Sequence, residues 1–321
     1  MYPSLGKDLT VTTAESAPAL AAPSPRRRGR GATTARRQAR WGWGLAAPAS
    51  LHILLWTGLP VIVSIILSLT SYRITRRDTP VEFLGLGNFS TLMADSEFWT
   101  ALWHNLVLAV VGVPVAMAIA LVLAVMLNQG IRGEGVFRTL VFLPHVTATV
   151  AIAMVWLWIY QPNGLANTLL SFFGIPSQGW LNSMDQALGS VLLVTIWQGI
   201  GLKMMIYLAA LQSVDVQLFE AAKIDGASSV QTFFAITLPM LKPATFFVLV
   251  TSLIGNFQTF DLIYNMTLGG PGNATTVITW LIFDVGIQRG YLGLASAMSV
   301  VLLLILIVLT ALARKVTGSD D

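Results

Sequence analysis

Six long stretches of apolar residues, separated by short polar segments, dominate the chain. A helix needs about 20 apolar residues to cross the hydrocarbon core of a bilayer, and each stretch can supply one such helix. A water-soluble core cannot hide this much apolar surface, so a lipid bilayer must act as the solvent for much of the chain. The six predicted spans lie within 41–72, 98–131, 139–160, 187–211, 243–264 and 291–313.

The composition supports the same interpretation. Hydrophobic residues make up 55% of the 321 positions and charged residues only 11%, whereas soluble domains carry about 25% charged residues. The chain is therefore predicted to be an all-α integral membrane protein with six transmembrane helices. Cysteine is absent, and His52, His104 and His145 lie in three different predicted spans. That spacing does not suit a metal cluster, so no metal site is predicted.

The distribution of basic residues predicts the orientation of the helices. With the N-terminus in the cytoplasm, fourteen Lys and Arg residues fall on the cytoplasmic side and four fall outside. The predicted outer loop 161–187 contains neither Lys nor Arg. Because cytoplasmic loops are enriched in basic residues, both termini are predicted to lie in the cytoplasm and the chain in the cytoplasmic (inner) membrane.

Residues 1–40 are rich in Ala, Pro, Ser, Thr and Arg and show no apolar periodicity, which predicts a disordered cytoplasmic tail. Its arginines would suit nucleic acid. We favour instead a tail that fixes topology and contacts anionic lipid, with no nucleic-acid partner. The transmembrane domain is predicted over 41–315, and 316–321 form a short cytoplasmic tail. The clustered arginines are Arg26, Arg27, Arg28, Arg30, Arg36, Arg37 and Arg40.

The connection 212–243 between the fourth and fifth spans is more elaborate than a linker requires. Asp215 can cap a short helix, and Gly226 permits a backbone bend that other residues resist. A second short helix can start at Ser228, and Pro239 and Pro243 punctuate the return into the membrane. These features fit either a knob that docks into a soluble partner or amphipathic helices resting in the lipid headgroups.

The same connection resembles the signature loop of permease subunits of binding-protein-dependent ABC importers. The matching residues are Glu220-Ala221-Ala222, Asp225-Gly226-Ala227, Phe233, Ile236, Leu238-Pro239 and Pro243. Residues 45–315 are similar to the sugar-permease branch, of the maltose and glycerol-phosphate type. That similarity is carried by Trp197-Gln198, the segment 207–212, the segment 269–273 and the segment 291–297.

The resemblance implies a type I ABC importer permease fold and a set of partners. The loop 212–243 would sit in a cleft of a cytoplasmic ATPase subunit, where Glu220 makes a polar contact and Gly226 holds the bend. The implied complex contains a second homologous permease, two ATPase subunits and an extracellular solute-binding protein. No G-x-x-x-x-G-K-[ST] motif is present, so ATP and Mg²⁺ are expected on the ATPase and no cofactor or catalytic residue in this chain. The predicted coupling residues are Glu220, Ala221, Ala222, Asp225, Gly226, Ala227, Phe233 and Pro239.

In the maltose-type permeases, sugar contacts fall on the fourth and fifth spans, and the resemblance carries over to those spans without a gap. Amide and hydroxyl groups beside an aromatic ring suit a polyol. Asn, Ser and Thr also bond across helices for purely structural reasons. The matching positions are Gln198, Gly199, Leu202, Ser252, Gly255, Asn256 and Thr259, to which we add their neighbours Trp197 and Gln258.

Lys203 is a charged residue inside a predicted span, where an ammonium costs about 2.5–3.5 kcal/mol. Asp261 is a tempting partner. At about 1.5 Å per residue the two differ in membrane depth by about 10 Å, which argues against a direct pair. Lys203 is expected to face the polar pathway or a partner subunit, or to snorkel inward. A further hypothesis is that it selects an anionic or phosphorylated sugar.

Three other functions are compatible with a chain of this composition. The same machinery could import an amino acid, a polyamine or an inorganic anion, although the carbohydrate-type motifs disfavour this. A membrane-embedded transferase needs carboxylates or histidines clustered at one face, and the acidic residues are dispersed. A channel gives no reason for the elaborate loop around Gly226. The dispersed acidic residues are Asp95, Glu97, Asp185, Asp261 and Asp284.

Overall fold

The computed structural model describes residues 30–75, 80–130 and 132–317. Within these ranges the backbone is helical apart from short connections and one isolated β-bridge between Thr70 and Phe83. The predicted all-α class is confirmed. The chain divides into two compact units, Met1–Leu59 and Pro60–Asp321.

In the first unit, helix α1 spans Arg30–Ile53 and a π-helical turn follows at Leu54–Gly58. The prediction that residues 1–40 are disordered is therefore wrong for 30–40, while 1–29, with Arg26, Arg27 and Arg28, lie outside the described residues. Residues 30–40 are rich in Ala and Arg, which have high helix propensity. The apolar helix that follows supplies the costly nucleus, so the helix can extend backwards over them.

The remaining helices belong to the second unit, apart from the first residue of α2. Those of ten or more residues are α2 (Leu59–Ser68), α4 (Ser96–Val107), α5 (Val113–Leu127), α6 (Glu134–Val146), α7 (Thr149–Ile159), α9 (Ala187–Gln212), α13 (Lys242–Phe257) and α16 (Leu292–Thr317). The shorter ones are α3 (Gly87–Ala94), α8 (Leu165–Phe172), α10 (Val216–Ile224), α11 (Ser229–Thr232), α12 (Leu238–Met240), α14 (Asp261–Met266) and α15 (Ile278–Phe283).

The described residues contain four helices long and apolar enough to cross a membrane, or up to six when each bent pair counts as one span. The four are Trp41–Ser68, Ser96–Leu127, Ala187–Gln212 and Leu292–Lys315. They coincide with the predicted first, second, fourth and sixth spans. Helix α16 continues to Thr317, so it includes the first residues of the predicted tail 316–321, and 318–321 lie outside the described residues.

The third span is broken rather than straight. Helices α6 and α7 meet at an angle of 98° across Thr147 and Ala148. Pro144, near the end of α6, removes one backbone donor and favours such a break. Periodicity alone did not predict this break. The 65° bend between Ser229–Met240 and Lys242–Phe257 separates the loop 212–243 from the fifth span, between the two prolines that were expected to punctuate the return into the membrane.

Small residues let α5 and α9 pack closely. Gly112, Ala116, Ala120 and Ala124 recur every fourth position and are all buried, as in the small-residue stripes of membrane helix pairs. Ala120 and Ala124 pack in one cluster with the α9 residues Met204, Tyr207 and Leu208. Apart from dispersion, a bilayer offers little force that drives apolar helices together, so this close fit is what holds α9 in place. Helix α9 in turn positions the groove described below.

Candidate functional site

A polar groove with a volume of about 430 Å³ lies between α9, α13 and the break that separates α6 from α7. Eight of the ten predicted pathway residues line it. Those eight are Gln198, Gly199, Leu202, Lys203, Ser252, Gly255, Asn256 and Thr259. It is also lined by five residues that were not predicted: His145, Thr149, Thr195, Ile206 and Thr251.

Helix α9 presents one face to the groove. Its lining residues Thr195, Gln198, Leu202 and Ile206 follow steps of three or four, which places them on one side of a helix. The Thr195 hydroxyl donates to the backbone oxygen of Val191 at 3.0 Å. Because a hydroxyl oxygen keeps acceptor capacity after donating, this face offers acceptors and an amide in an otherwise apolar helix.

Helix α13 supplies the opposite face. Ser252 and Asn256 are one turn apart, and the Asn256 Nδ2 donates to the Ser252 backbone oxygen at 3.0 Å. Asn256 is only 8% exposed, and its Oδ1 has no hydrogen-bond partner among the described residues. Thr259 lies just beyond the helix and donates its hydroxyl to the Gly255 oxygen at 3.1 Å. A buried acceptor without a donor is costly unless a ligand or water supplies one.

The broken third span contributes backbone as well as side chains. His145 lines the groove at the end of α6, and Thr149 lines it as the first residue of α7. The Gln198 Nε2 lies 3.5 Å from the Thr149 Oγ1, at the limit of a hydrogen bond. Non-helical backbone at membrane depth is tolerated where it lines a polar cavity. Pro144 and the threonines at 147 and 149 were the sequence signal that could have indicated this contribution.

Lys203 places its ammonium inside this groove. Its Nζ donates to the backbone oxygen of Gly199 at 3.2 Å, one turn nearer the N-terminus of α9. The ammonium therefore points away from Gln212 and the loop that follows, which contradicts the snorkelling alternative. A Cβ at Gly199 would lie 2.8 Å from Nζ, so the missing side chain at that position makes room for the charge.

Two predicted pathway residues lie elsewhere. Trp197 is on another face of α9 and contacts Trp156, with ring centroids 5.5 Å apart in an edge-on arrangement. Gln258 lines a smaller neighbouring groove of about 160 Å³, together with Asp261. Thr149, Thr195, Gln198 and Thr259 line both grooves. Trp197 falls outside the groove because consecutive helix residues point about 100° apart.

The loop 212–243 folds into the two short helices that the sequence predicted. The Asp215 carboxylate accepts from the Gln217 N–H at 2.9 Å and caps α10. Gly226 has φ +77, in the left-handed region that favours glycine. Its N–H donates to the Lys223 oxygen at 3.1 Å, and the Ala227 N–H donates to the Ala222 oxygen at 2.9 Å. These two bonds form a Schellman turn, which ends α10 sharply.

Helix α11 then starts with a capping box. The Ser228 hydroxyl accepts from the Gln231 N–H, and the Gln231 side chain accepts from the Ser228 N–H. A π-helical turn at Phe233–Thr237 connects α11 to α12, which contains Pro239. The N-terminus of this second helix is fixed locally by the capping box, which gives the loop a defined shape there.

The loop exposes most of its predicted coupling residues. Ala222 is buried, and Ala227 and Phe233 are half-buried. Apolar side chains beside them are also exposed, including Ile224 at 86% and Phe234 at 62%. A large apolar surface on a rigid loop is typical of an interaction site with protein or membrane. The exposed coupling residues are Glu220, Ala221, Asp225, Gly226 and Pro239.

Comparisons with known proteins assign the chain to a family. Residues 112–318 match the family model described as binding-protein-dependent transport system inner membrane component. The chain is 37% identical over 277 residues to the lactose transport system permease protein LacF of Rhizobium radiobacter, covering 84% of this chain and 92% of that protein. It is 32% identical over 281 residues to the trehalose/maltose transport system permease protein MalF of Thermococcus litoralis, covering 87% and 94%.

A solved structure shows the same fold. A chain of a bacterial alginate ABC transporter, crystallised in complex with an alginate pentasaccharide-bound periplasmic protein, superposes with a TM-score of 0.77. The match covers 90% of this chain and 99% of that chain at 23% sequence identity. This protein therefore belongs to the family of binding-protein-dependent transport system inner membrane components, and it has the type I ABC importer permease fold.

Proposed function

We propose that this permease is the transmembrane subunit of an ATP-driven carbohydrate importer and forms half of its translocation pathway. The observation that carries the proposal is the groove between α9 and α13, because eight predicted pathway residues from two different spans meet there. The transport systems named for two relatives, lactose and trehalose/maltose, carry carbohydrates. Arabinooligosaccharides are named for a third relative, from Bacillus subtilis, at 32% identity.

The chemistry of the groove suits a polyol. Gln198 and Asn256 offer amides, and Ser252, Thr251 and Thr259 offer hydroxyls, so donors and acceptors occur on both faces. Several of the hydroxyls already donate to backbone oxygens of their own helix, which leaves their oxygens free to accept from a sugar hydroxyl. A transported substrate must also leave, and single hydrogen bonds of this kind are individually weak.

Alternating access would be driven through the loop 212–243. We propose that a cytoplasmic ATPase grips its two short helices, with ATP and Mg²⁺ bound on that subunit and no cofactor in this chain. The exposed Ile224 and Phe234 would enter an apolar cleft, and Glu220 would add a polar contact. Because the Schellman turn and the capping box fix its shape, the loop can transmit a push to α9 and α13 without collapsing.

The proposed complex contains a second permease, two ATPase subunits and an extracellular solute-binding protein. Its proposed location is the cytoplasmic membrane, with both termini in the cytoplasm. The basic residues of the loop 212–243, Lys223 and Lys242, support this orientation.

The proposal is tested on the intact importer. The solute-binding protein that works with this permease is screened against carbohydrates, amino acids, polyamines and inorganic anions. Proteoliposomes that contain all subunits are then assayed for ATP-dependent uptake of the ligand found. Binding and uptake of a carbohydrate support the proposal, and uptake confined to a non-carbohydrate ligand contradicts it. A cysteine introduced at Ile224 should cross-link to the ATPase subunit. Failure of this cross-link to form would contradict the coupling role.

A further inference from the structure

The groove contains a positive charge that no described residue neutralises. No carboxylate of a described residue lies within ion-pair distance of the Lys203 Nζ, and the ion pairs of the described residues involve Arg138 and Arg289 instead. The groove is lined by no Asp or Glu, and Asp261 lines only the smaller neighbouring groove. A charge at membrane depth is costly and marks a functional site when it faces a polar cavity.

The break in the third span adds a second source of positive potential. Helix α7 begins at Thr149, which lines the same groove, and its N-cap residue Ala148 makes no side-chain cap. The first N–H groups of a helix have no partner within the helix and carry a partial positive charge. In membrane proteins, such half-helix N-termini inside a cavity point at anionic groups of a substrate.

Asn256 also lines the groove, but its side-chain oxygen does not open into it. Its Nδ2 donates to the Ser252 backbone oxygen, and its Oδ1 is fully buried, 4.0 Å from where a Cβ at Gly112 would lie. The uncharged polar groups that a ligand in the groove can reach are therefore those of the other lining residues, Gln198, Thr251 and Thr259.

We propose that the groove binds an anionic carbohydrate, with a carboxylate or phosphate beside Lys203 and the N-terminus of α7 and its hydroxyls beside Gln198, Thr251 and Thr259. The proposal rests on the carbohydrate function proposed above and narrows its substrate class. An anion in the groove would also neutralise the buried charge while it passes.

The test uses the complete importer in proteoliposomes and two matched pairs of radiolabelled probes. Digalacturonate is compared with neutral galactobiose, and trehalose 6-phosphate with neutral trehalose, so the two arms separate a carboxylate from a phosphate. Uptake is measured as kcat/KM for the natural permease and for Lys203→Met, Lys203→Arg and Gln198→Glu. Lys315→Met is the control, because Lys315 is an exposed lysine in the last turn of α16 and does not line the groove.

The expected result is import of the charged member of at least one pair. Lys203→Met then lowers kcat/KM for that probe by at least about tenfold and for a neutral probe by less than about threefold, because a charge-assisted hydrogen bond is lost. Lys203→Arg restores a substantial part of the uptake, and Lys315→Met has no effect. Gln198→Glu, which places a carboxylate in the groove at unchanged size, lowers uptake of the charged probe more than that of its neutral counterpart.

Two outcomes overturn the inference and differ from each other. Import of the neutral probes alone, or an equal loss for both members of a pair in Lys203→Met, refutes the anionic substrate and leaves carbohydrate import intact. Uptake of a non-carbohydrate solute with no uptake of any sugar refutes the proposed function and the inference with it. Expression and subunit assembly of each variant are checked by size-exclusion chromatography, so that a failure to fold is not counted as either outcome.

Discussion

The Asn105 side chain on α4 donates from Nδ2 to the backbone oxygen of Asn256 on α13 over 3.2 Å. Its Oδ1 accepts from the backbone N–H of Ile278, the first residue of α15, at 2.8 Å. Asn105 is fully buried, so one amide joins three helices inside the membrane domain. It also fixes the residue whose own side chain lines the groove. The two asparagines therefore have different roles, one structural and one facing the pathway.

Because the two asparagines have different roles, replacing each with leucine should affect a different property of the protein. Asn105→Leu leaves the buried N–H of Ile278 without an acceptor, so the free energy of unfolding should fall by about 1–3 kcal/mol. Asn256→Leu removes one bond within its own helix and an unpaired oxygen, so stability should change little while uptake falls. Thermal denaturation of the purified complex and uptake assays measure the two effects. Equal losses of stability in both variants would contradict the assignment.

The Schellman turn at Gly226 predicts a coupling defect. Gly226→Ala places a side chain at φ +77, which costs about 1–2 kcal/mol, although a Cβ there meets no atom within 4 Å. The loop should shift out of register with the ATPase, so ATP hydrolysis continues while uptake falls. Gly226→Pro, which also removes the N–H bonded to Lys223, should abolish uptake.

Gly174→Ala is the matched control for this prediction. Gly174 follows α8, has φ +69 and likewise leaves open space for a Cβ, so the backbone strain is nearly the same. Its variant should keep the ratio of substrate imported to ATP hydrolysed at the natural value. A similar loss of that ratio in both variants would show that general backbone strain, and not the position of the turn, causes the defect.

The crossing of α6 over α9 predicts a packing defect at Gly201. A Cβ at this residue would lie 2.5 Å from the Val141 oxygen and 2.8 Å from the Phe142 Cα, both backbone atoms that cannot move aside easily. Gly201→Ala should destabilise the complex by about 1–3 kcal/mol, as overpacking usually does. Gly189→Ala, on the same helix but in open space, should instead stabilise it by about 0.5–1 kcal/mol. Thermal denaturation distinguishes the two signs.

The ion pairs of Arg289 should make a small contribution to the free energy of unfolding, and that contribution should not change with pH near neutrality. Its guanidinium donates to Glu97 through two nitrogens at 3.2 and 3.1 Å and lies 2.5 Å from the Asp284 carboxylate. The bond to Glu97 is the first cause that raises the pKa of Arg289, and the charges of Glu97 and Asp284 add to it. A raised pKa of a basic group gives stability that is fully present below its unfolded value and is lost only above it.

Arg289→Met should therefore lower the free energy of unfolding by the same amount at about pH 6 and about pH 9. The amount should be about 1 kcal/mol or less, because the side chain is 47% exposed and solvent screens the pair. A double-mutant cycle with Glu97→Gln measures the coupling energy. A clear loss of the effect at about pH 9 would contradict this account.

Local chemistry made the loop 212–243 predictable. The cap at Asp215, the bend at Gly226 and the start at Ser228 each depend on residues within three or four positions, which sequence displays directly. The spans were predictable for a similar reason, since their length and apolar content follow from bilayer thickness. The helical segment 30–40 was missed because propensity on a polar stretch is weak until a neighbouring helix nucleates it.

The groove was only partly predictable. The resemblance to related permeases, with the neighbours added to it, predicted eight residues that line the groove. The same prediction included Trp197, which packs on Trp156 instead. Thr149 and His145 were missed, because their presence there depends on the 98° break between α6 and α7. No sequence pattern within the third span predicts that break. Nor does any pattern there predict which neighbouring helix the exposed backbone faces.

The sequence by itself determined that the chain is an all-α membrane protein, and it defined the shape of the loop 212–243. Both follow from interactions between residues close in the chain or from transfer of apolar residues into lipid. Only the tertiary structure decided that Lys203, Asn256 and the N-terminus of α7 meet in one groove. That meeting depends on how three helices from distant segments pack, and packing is set by contacts across the fold that no local pattern encodes.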